Sequence, residues 1–412
     1  MNRSLEAYAD IVGTPVIQQL RALGEILRGI KVVHVNSTSE GGGVAEILTW
    51  MVPLMRDLGL DANWKVIRGN PTFFSITKSI HNGLQGKSVS LTKKEWDSYY
   101  EVNAQNFSEM KEVLEKADIV VIHDPQPAPM LGLCPNKRGR WIWRAHIDIS
   151  RPARSIWRTL RSFVEKYDAS IFSMSQFAQL LPHPQFIIAP SIDPLSEKNM
   201  DLDQSELEQV REEFGLDPDR PLLVQISRFD HFKDPVGVVQ AYHLVRKVLP
   251  VQLVLAGGGA TDDPEGAEIL DEVREAAGDD PDVHVLLLPS DAHRTVNALQ
   301  RLADIVIQKS TREGFGLTVT EGLWKGKPVI GGDVGGIPLQ VTNHHTGYLI
   351  NTPEGAAHRV RYLLHHRDAM QRMGKTAREF VRDNFLLTRH LRDYLTLFAW
   401  VLKGEGKHTI MI

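Results

Sequence analysis

The sequence predicts an α/β protein built from two doubly wound parallel sheets, and three observations carry that reading. Short apolar runs alternate with longer amphipathic stretches along all 412 residues. The runs lack polar alternation, as expected of parallel strands covered on both faces. The pattern also occurs twice, separated by a proline-bearing break.

In the first half the strand-like runs are Lys31–Val35, Trp64–Ile67, Ala117–Ile122, Trp141–Trp143, Ala169–Phe172 and Phe186–Ile188. In the second they are Leu222–Ile226, Val251–Leu255, Val283–Leu288, Ala303–Ile307 and Pro328–Ile330. Helical stretches between them make βαβ units. Pro190 and Pro194 restrict their neighbours and read as a linker before a fresh strand series begins at Pro221. This gives an N-terminal domain of residues 1-193 and a C-terminal domain of residues 194-385. Apolar residues at helical spacing from Leu386 to Leu402 mark a further helix.

Hydrophobic residues make up 42% and charged residues 24%, which excludes intrinsic disorder and collagen-like chains. Lys plus Arg is 47 against 51 Asp plus Glu, so the net charge is -4 and gives no global reason to bind nucleic acid or acidic lipid. One cysteine, Cys134, excludes an internal disulfide. The first thirty residues lack the pattern of a secretory leader, and no apolar run approaches the roughly 18–20 residues that span a bilayer. A cytoplasmic protein is therefore expected.

The run Lys31–Val35 leads into Glu40-Gly-Gly-Gly-Val-Ala-Glu46 and then a helical pattern with Pro53 inside it, which should kink the helix. Glycines such as Gly42 and Gly43 let a backbone approach a ligand, and a helix N-terminus offers unpaired N–H groups. A tight turn without a ligand explains the same residues. The triplet is not the dinucleotide fingerprint, so no nicotinamide site is expected.

In open α/β sheets ligands sit beyond the carboxyl ends of the strands. Arg228 lies at such an end and Lys233 five residues on, a fork and a mobile point charge suited to a pyrophosphate. Ala303–Ile307 leads to Glu313-Gly-Phe-Gly-Leu-Thr-Val-Thr-Glu321, an E-x7-E motif. Glu313 precedes a helix expected to start near Gly314–Gly316, and Glu321 lies about a turn and a half into it. The first N–H groups of that helix, near Gly316, Leu317 and Thr318, can hold a phosphate, and Phe315 lies among them. Carboxylates accept hydrogen bonds from vicinal sugar hydroxyls. His146 and the His123-Asp124 pair also end strand-like runs, and Asp148 is either an acceptor-binding group or a helix cap. Asp201-Leu-Asp203, Asp217-Pro-Asp219 and Asp280-Pro-Asp282 read as turns or helix starts rather than metal sites, and no cluster has zinc spacing. Trp141, Trp143 and Trp157 read as packing residues.

These motifs resemble glycosyltransferase family 4, the retaining transferases of GT-B fold, over nearly the whole chain. The resemblance implies two Rossmann-like domains facing a cleft, with the tail, residues 386-412, returning to the first. It implies that Arg228 and Lys233 hold the leaving diphosphate, that Glu313 contacts the donor sugar and Glu321 the nucleotide ribose. It also matches His146 to the family's active-site histidine and Gly41–Gly43 to its N-domain glycine loop. Within the family, the chain is most similar to the trehalose-forming branch, through His123-Asp-Pro-Gln-Pro127, His146-Ile-Asp148, Arg228–Pro235, Ala256–Glu265 and Gly335-Gly-Ile-Pro-Leu-Gln340. Leu339 stands where many members have Glu, which favours that branch.

The implied reaction moves glucose from a nucleoside diphosphate glucose to free glucose, giving trehalose reversibly, with no cofactor and no demanded metal. A phosphorolytic enzyme of the same branch, another hexosyltransferase, a sugar-nucleotide epimerase and an inactive sensor are the alternatives. Neither a nucleic acid nor a membrane is an expected partner. The nucleotide base and a homodimer are left open.

Overall fold

The computed structural model describes residues 4–40, 42–258 and 264–403, with Pro264 and Glu265 described by backbone alone. Gly41 of the glycine loop and residues 259–263 of the second glycine segment lie outside the described residues. The chain divides into two compact units. One runs to Pro190 and resumes at Leu387; the other is Ser191–Leu386. The division falls a few residues ahead of the expected 193 because Ile192 bridges Leu386 and its N–H donates to the Phe385 carbonyl at 3.0 Å.

The first unit holds six parallel strands: β1 (Lys31–Asn36), β2 (Asp61–Val66), β3 (Ile119–His123), β4 (Arg140–Ala145), β5 (Ala169–Phe172) and β6 (Gln185–Ile187). Their order is β2-β1-β3-β4-β5-β6, and every pairing is parallel. The chain steps from β1 to β2 on one side and then crosses to β3 on the other. The switch point of the sheet therefore lies between β1 and β3. β2 starts earlier than the apolar run suggests because Asp61 pairs with Lys31.

The second unit holds β7 (Leu222–Ile226), β8 (Gln252–Gly258), β9 (Val283–Leu288), β10 (Ile305–Gln308), β11 (Val329–Gly332) and β12 (Gly347–Ile350). Their order is β12-β11-β10-β7-β8-β9, again parallel throughout, with the switch point between β7 and β10. The sequence reading missed β12. It is four residues long and follows the polar stretch Thr342–Thr346, so only its pairing with β11 reveals it.

Both sheets are buried between helices, as continuous apolar strands require. Trp141 and Trp143 are fully buried in the first core, with Trp157 partly buried against it. Helix Gly43–Asp57 runs unbroken with Pro53 inside it. Helix Leu387–Lys403 belongs to the first unit and buries His390, Leu391, Tyr394, Leu395 and Phe398. Arg389 on it donates to the carbonyls of Ala189 and Pro190 at 2.9 and 3.0 Å. No described helix is long and apolar enough to cross a membrane.

Candidate active site

In the second unit, the loops after β7 and β10 flank the switch point and are tied to each other. The Thr311 N–H donates to the Phe232 carbonyl at 2.8 Å, and Gln225 Nε2 anchors the Lys233 carbonyl at 2.9 Å. Lys233 Nζ donates to Glu313 Oε2 at 2.6 Å, and Ser310 Oγ donates to the same oxygen at 3.2 Å. Glu313 is only 10% exposed, so its charge is opposed locally rather than by water. Lys233 and Glu313 are thus brought together across 80 residues.

The glycines of the segment after β11 make room for Glu313. A Cβ on Gly335, which has φ +54°, would lie 1.8 Å from the Glu313 carbonyl. The Gly336 N–H donates to the Gly314 carbonyl at 3.0 Å, and Gln340 Nε2 to the Phe315 carbonyl at 2.6 Å. Gly316, at φ +83°, turns the chain into helix Leu317–Trp324. Leu317 and Thr318 open that helix, and Thr318 Oγ1 donates to Gln308 Oε1 at 3.3 Å.

Three other candidate side chains make their contacts elsewhere. Arg228 does not meet Glu313: it is 67% exposed, and its Nη2 donates to Asp230 Oδ2 at 3.2 Å. Glu321 is buried in a separate polar network, accepting from Gln300 Nε2 at 3.2 Å with Lys198 Nζ 3.9 Å away. Lys325 beside it is lowered to about 7, first by burial. The Phe315 ring packs inward on Phe385, centroids 5.5 Å apart, so only its backbone is available to a ligand. Asp203 caps a helix, and Asp217 and Asp280 close turns onto the N–H groups of Asp219 and Asp282.

In the first unit, Gly42 caps helix Gly43–Asp57 in an extended conformation, with nothing among the described residues within 4 Å of a would-be Cβ. Neither conformation nor crowding requires glycine there. His123 ends β3 and is buried. Its Nε2 lies 3.0 Å from His34 Nδ1, and its Nδ1 lies 2.9 Å from His146 Nε2. With both ring nitrogens engaged, its side chain cannot also bind an acceptor, contrary to expectation. His146 is half-buried, one residue past β4. Burial lowers His123 and His146 well below the ordinary imidazole range and His34 to about 3.

Asp124 fixes this edge of the sheet. It has φ 62°, in the left-handed region that non-glycine residues seldom adopt. Its N–H donates to the Arg144 carbonyl at 2.7 Å, and its Oδ1 accepts from the His146 N–H at 2.7 Å. Burial raises its carboxyl to about 6. Asp148 Oδ1 accepts from the Ser150 N–H at 2.9 Å, closing a turn rather than capping a helix.

Against known families, residues 34–179 match the model described as trehalose synthase, N-terminal domain, and residues 207–380 match glycosyl transferases group 1. A trehalose synthase of Thermococcus litoralis is 48% identical over 400 residues, covering 96% of each chain. The chain belongs to the trehalose synthase family. Another family member, from Rubrobacter xylanophilus, is 44% identical over 97% of this chain and 98% of its own. A trehalose phosphorylase of Pleurotus pulmonarius is 29% identical, and the match spans only 61% of that longer protein. The GT-B fold is shared with an E. coli trehalose-6-phosphate structure bound with UDP-2-fluoro glucose (TM-score 0.73, 13% identity, 89% of this chain and 98% of that one). Sucrose-phosphate synthase of Thermosynechococcus elongatus also has it (TM-score 0.68, 15% identity, 91% and 99%).

Sequence reasoning missed His34, Arg144 and His390 at this edge. His34 sits inside an apolar strand and His390 inside an apolar helix face, and both are buried. The available signal was topological: β1, β3 and β4 are neighbours, and each carries a histidine near its carboxyl end.

Proposed function

We propose that this chain is a retaining hexosyltransferase that moves glucose from a nucleoside diphosphate glucose to the anomeric hydroxyl of free glucose, forming trehalose reversibly. The observation that carries the reading is the Lys233–Glu313 pair at the switch point of the second sheet, in a chain 48% identical to a trehalose synthase over nearly its whole length. Glycosyl transfer develops negative charge on the departing diphosphate while the sugar becomes oxocarbenium-like. Lys233, Arg228 and the N–H groups at Gly316, Leu317 and Thr318 are assigned to that charge, a form of preorganised electrostatics. Glu313, held by Lys233 and Ser310, orients hydroxyls of the donor sugar. The second unit thereby serves the nucleotide sugar and the first, through His146, Asp148 and the Gly42–Gly43 turn, serves sugar hydroxyls. Glu321 is assigned to the ribose, which requires it to exchange its Gln300 partner on binding. A leaving phosphate oxygen takes the proton of the acceptor hydroxyl, so no carboxylate nucleophile is needed. The reading calls for no metal and no cofactor.

The test is incubation with a panel of nucleoside diphosphate glucoses and glucose, scored for a non-reducing disaccharide. Trehalose with phosphate is the parallel arm. Release of glucosyl phosphate there, with no disaccharide in the first arm, would replace the proposal with phosphorolysis.

A further inference from the structure

The edge of the first sheet carries three imidazoles in series. His34 of β1, His123 of β3 and His146 after β4 are linked by ring nitrogens 3.0 and 2.9 Å apart. Burial disfavours a proton on any of them, so each ring is neutral at ordinary pH. A neutral imidazole has one N–H and one bare nitrogen. Each link then holds a single hydrogen, and the three tautomers are locked together. Either every Nδ1 carries hydrogen, or every Nε2 does.

The buried end decides between the two. His34 Nε2 is enclosed and has no hydrogen-bond partner among the described residues, and the ring centroids of Tyr394 and Phe398 lie 6.0 and 6.4 Å from that of the imidazole. A bare acceptor is tolerated in such a place more readily than an orphaned N–H. His34 then donates from Nδ1 to His123 Nε2, and His123 donates from Nδ1 to His146 Nε2. Arg144, His390 and Asp124 surround the series, and Asp124 holds the His146 backbone.

We propose that His34 and His123 are positioning residues that fix His146 with its hydrogen on Nδ1, so that it meets a sugar hydroxyl as a hydrogen-bond donor. The role of His146 rests on the glycosyl-transfer reading above; the tautomer order does not. Neither His34 nor His123 needs to touch substrate. Their effect is to remove the alternative ring state that a lone histidine would sample.

The test combines histidine 15N spectroscopy of the full chain, without substrate, with steady-state kinetics on three proteins. Wild type is expected to show pyrrole-type Nδ1 and pyridine-type Nε2 at all three rings. His34→Asn places an amide donor near the lost Nδ1 and is expected to keep that pattern at His123 and His146. His34→Phe removes the donor and is expected to give mixed tautomers at both, with kcat/KM for trehalose formation lowered about tenfold, the scale of one oriented neutral hydrogen bond. Hydrogen on Nε2 in wild type, or equal losses in His34→Asn and His34→Phe, would overturn the proposal. Because the spectra need no turnover, failure to form trehalose would sink the proposed activity while the tautomers are still read independently.

Discussion

The two sheets present opposite electrostatics at corresponding positions. At the switch point of the second, Lys233 and Glu313 form an ion pair, with exposed Arg228 and half-buried Asp230 on the same loop. At the switch-point edge of the first, His34, His123 and His146 are kept uncharged by burial. The difference fits the two halves of the proposed reaction. A departing diphosphate needs fixed charge opposite it, whereas sugar hydroxyls need oriented, neutral hydrogen-bond partners. A charged imidazole beside Arg144 would also be unfavourable, which burial avoids.

The largest expected effect breaks the charged half. Lys233→Ala leaves Glu313 without its cation and removes a group opposing the diphosphate, so kcat should fall about 10²–10³-fold. Glu313→Gln should lose activity on a similar scale while retaining wild-type fluorescence and melting behaviour. Wild-type turnover in Glu313→Gln would remove the role assigned to it.

Next comes the backbone that seats Glu313. Gly335→Ala places a Cβ against the Glu313 carbonyl at a positive φ, a strain of about 1–3 kcal/mol. The expected result is a lowered Tm together with reduced kcat. Unchanged values of both would mean that the Gly335–Gly336 segment does not set the Glu313 loop.

The smallest effect concerns acid stability and belongs to the neutral half. His34, His123, His146 and His390 all have folded-state values below the ordinary 6.5, chiefly through burial. Their contribution to stability is fully present above about 6.5 and is lost as pH falls toward the folded values. Asp124 has the opposite sign: raised to about 6, it takes up a proton in the folded chain first and so gains stability as pH falls through that value. Four histidines outweigh one carboxyl, so urea midpoints should be lower at about pH 5.5 than at about pH 7.5. His34→Phe should weaken that dependence. A midpoint that rises on acidification would show Asp124 to dominate instead.

Much of this was legible in the residues. Eleven of the twelve strands announce themselves as apolar runs, because parallel strands covered on both faces must be apolar along their length. The Arg228–Lys233 and Glu313–Glu321 motifs stand out because they follow strands at the carboxyl edge of an open α/β sheet, where ligands sit. Direction and partner were not legible. Glu321 is turned into the network of Gln300 and Lys198, and Phe315 is turned onto Phe385, by helix and loop orientations that spacing alone does not fix. His123 looks like a ligand-binding strand end until β1 and β4 are set beside it and occupy both nitrogens. Tertiary neighbours, not the residue itself, decide between binding and positioning.

The most direct measurement follows donor glucose labelled at its anomeric carbon, supplied with unlabelled glucose, by 13C NMR. Retaining transfer requires the label to appear in α,α-trehalose with its α configuration kept and nucleoside diphosphate released in equal amount. Label recovered as a β-linked product, or as free glucose with acceptor untouched, would contradict it.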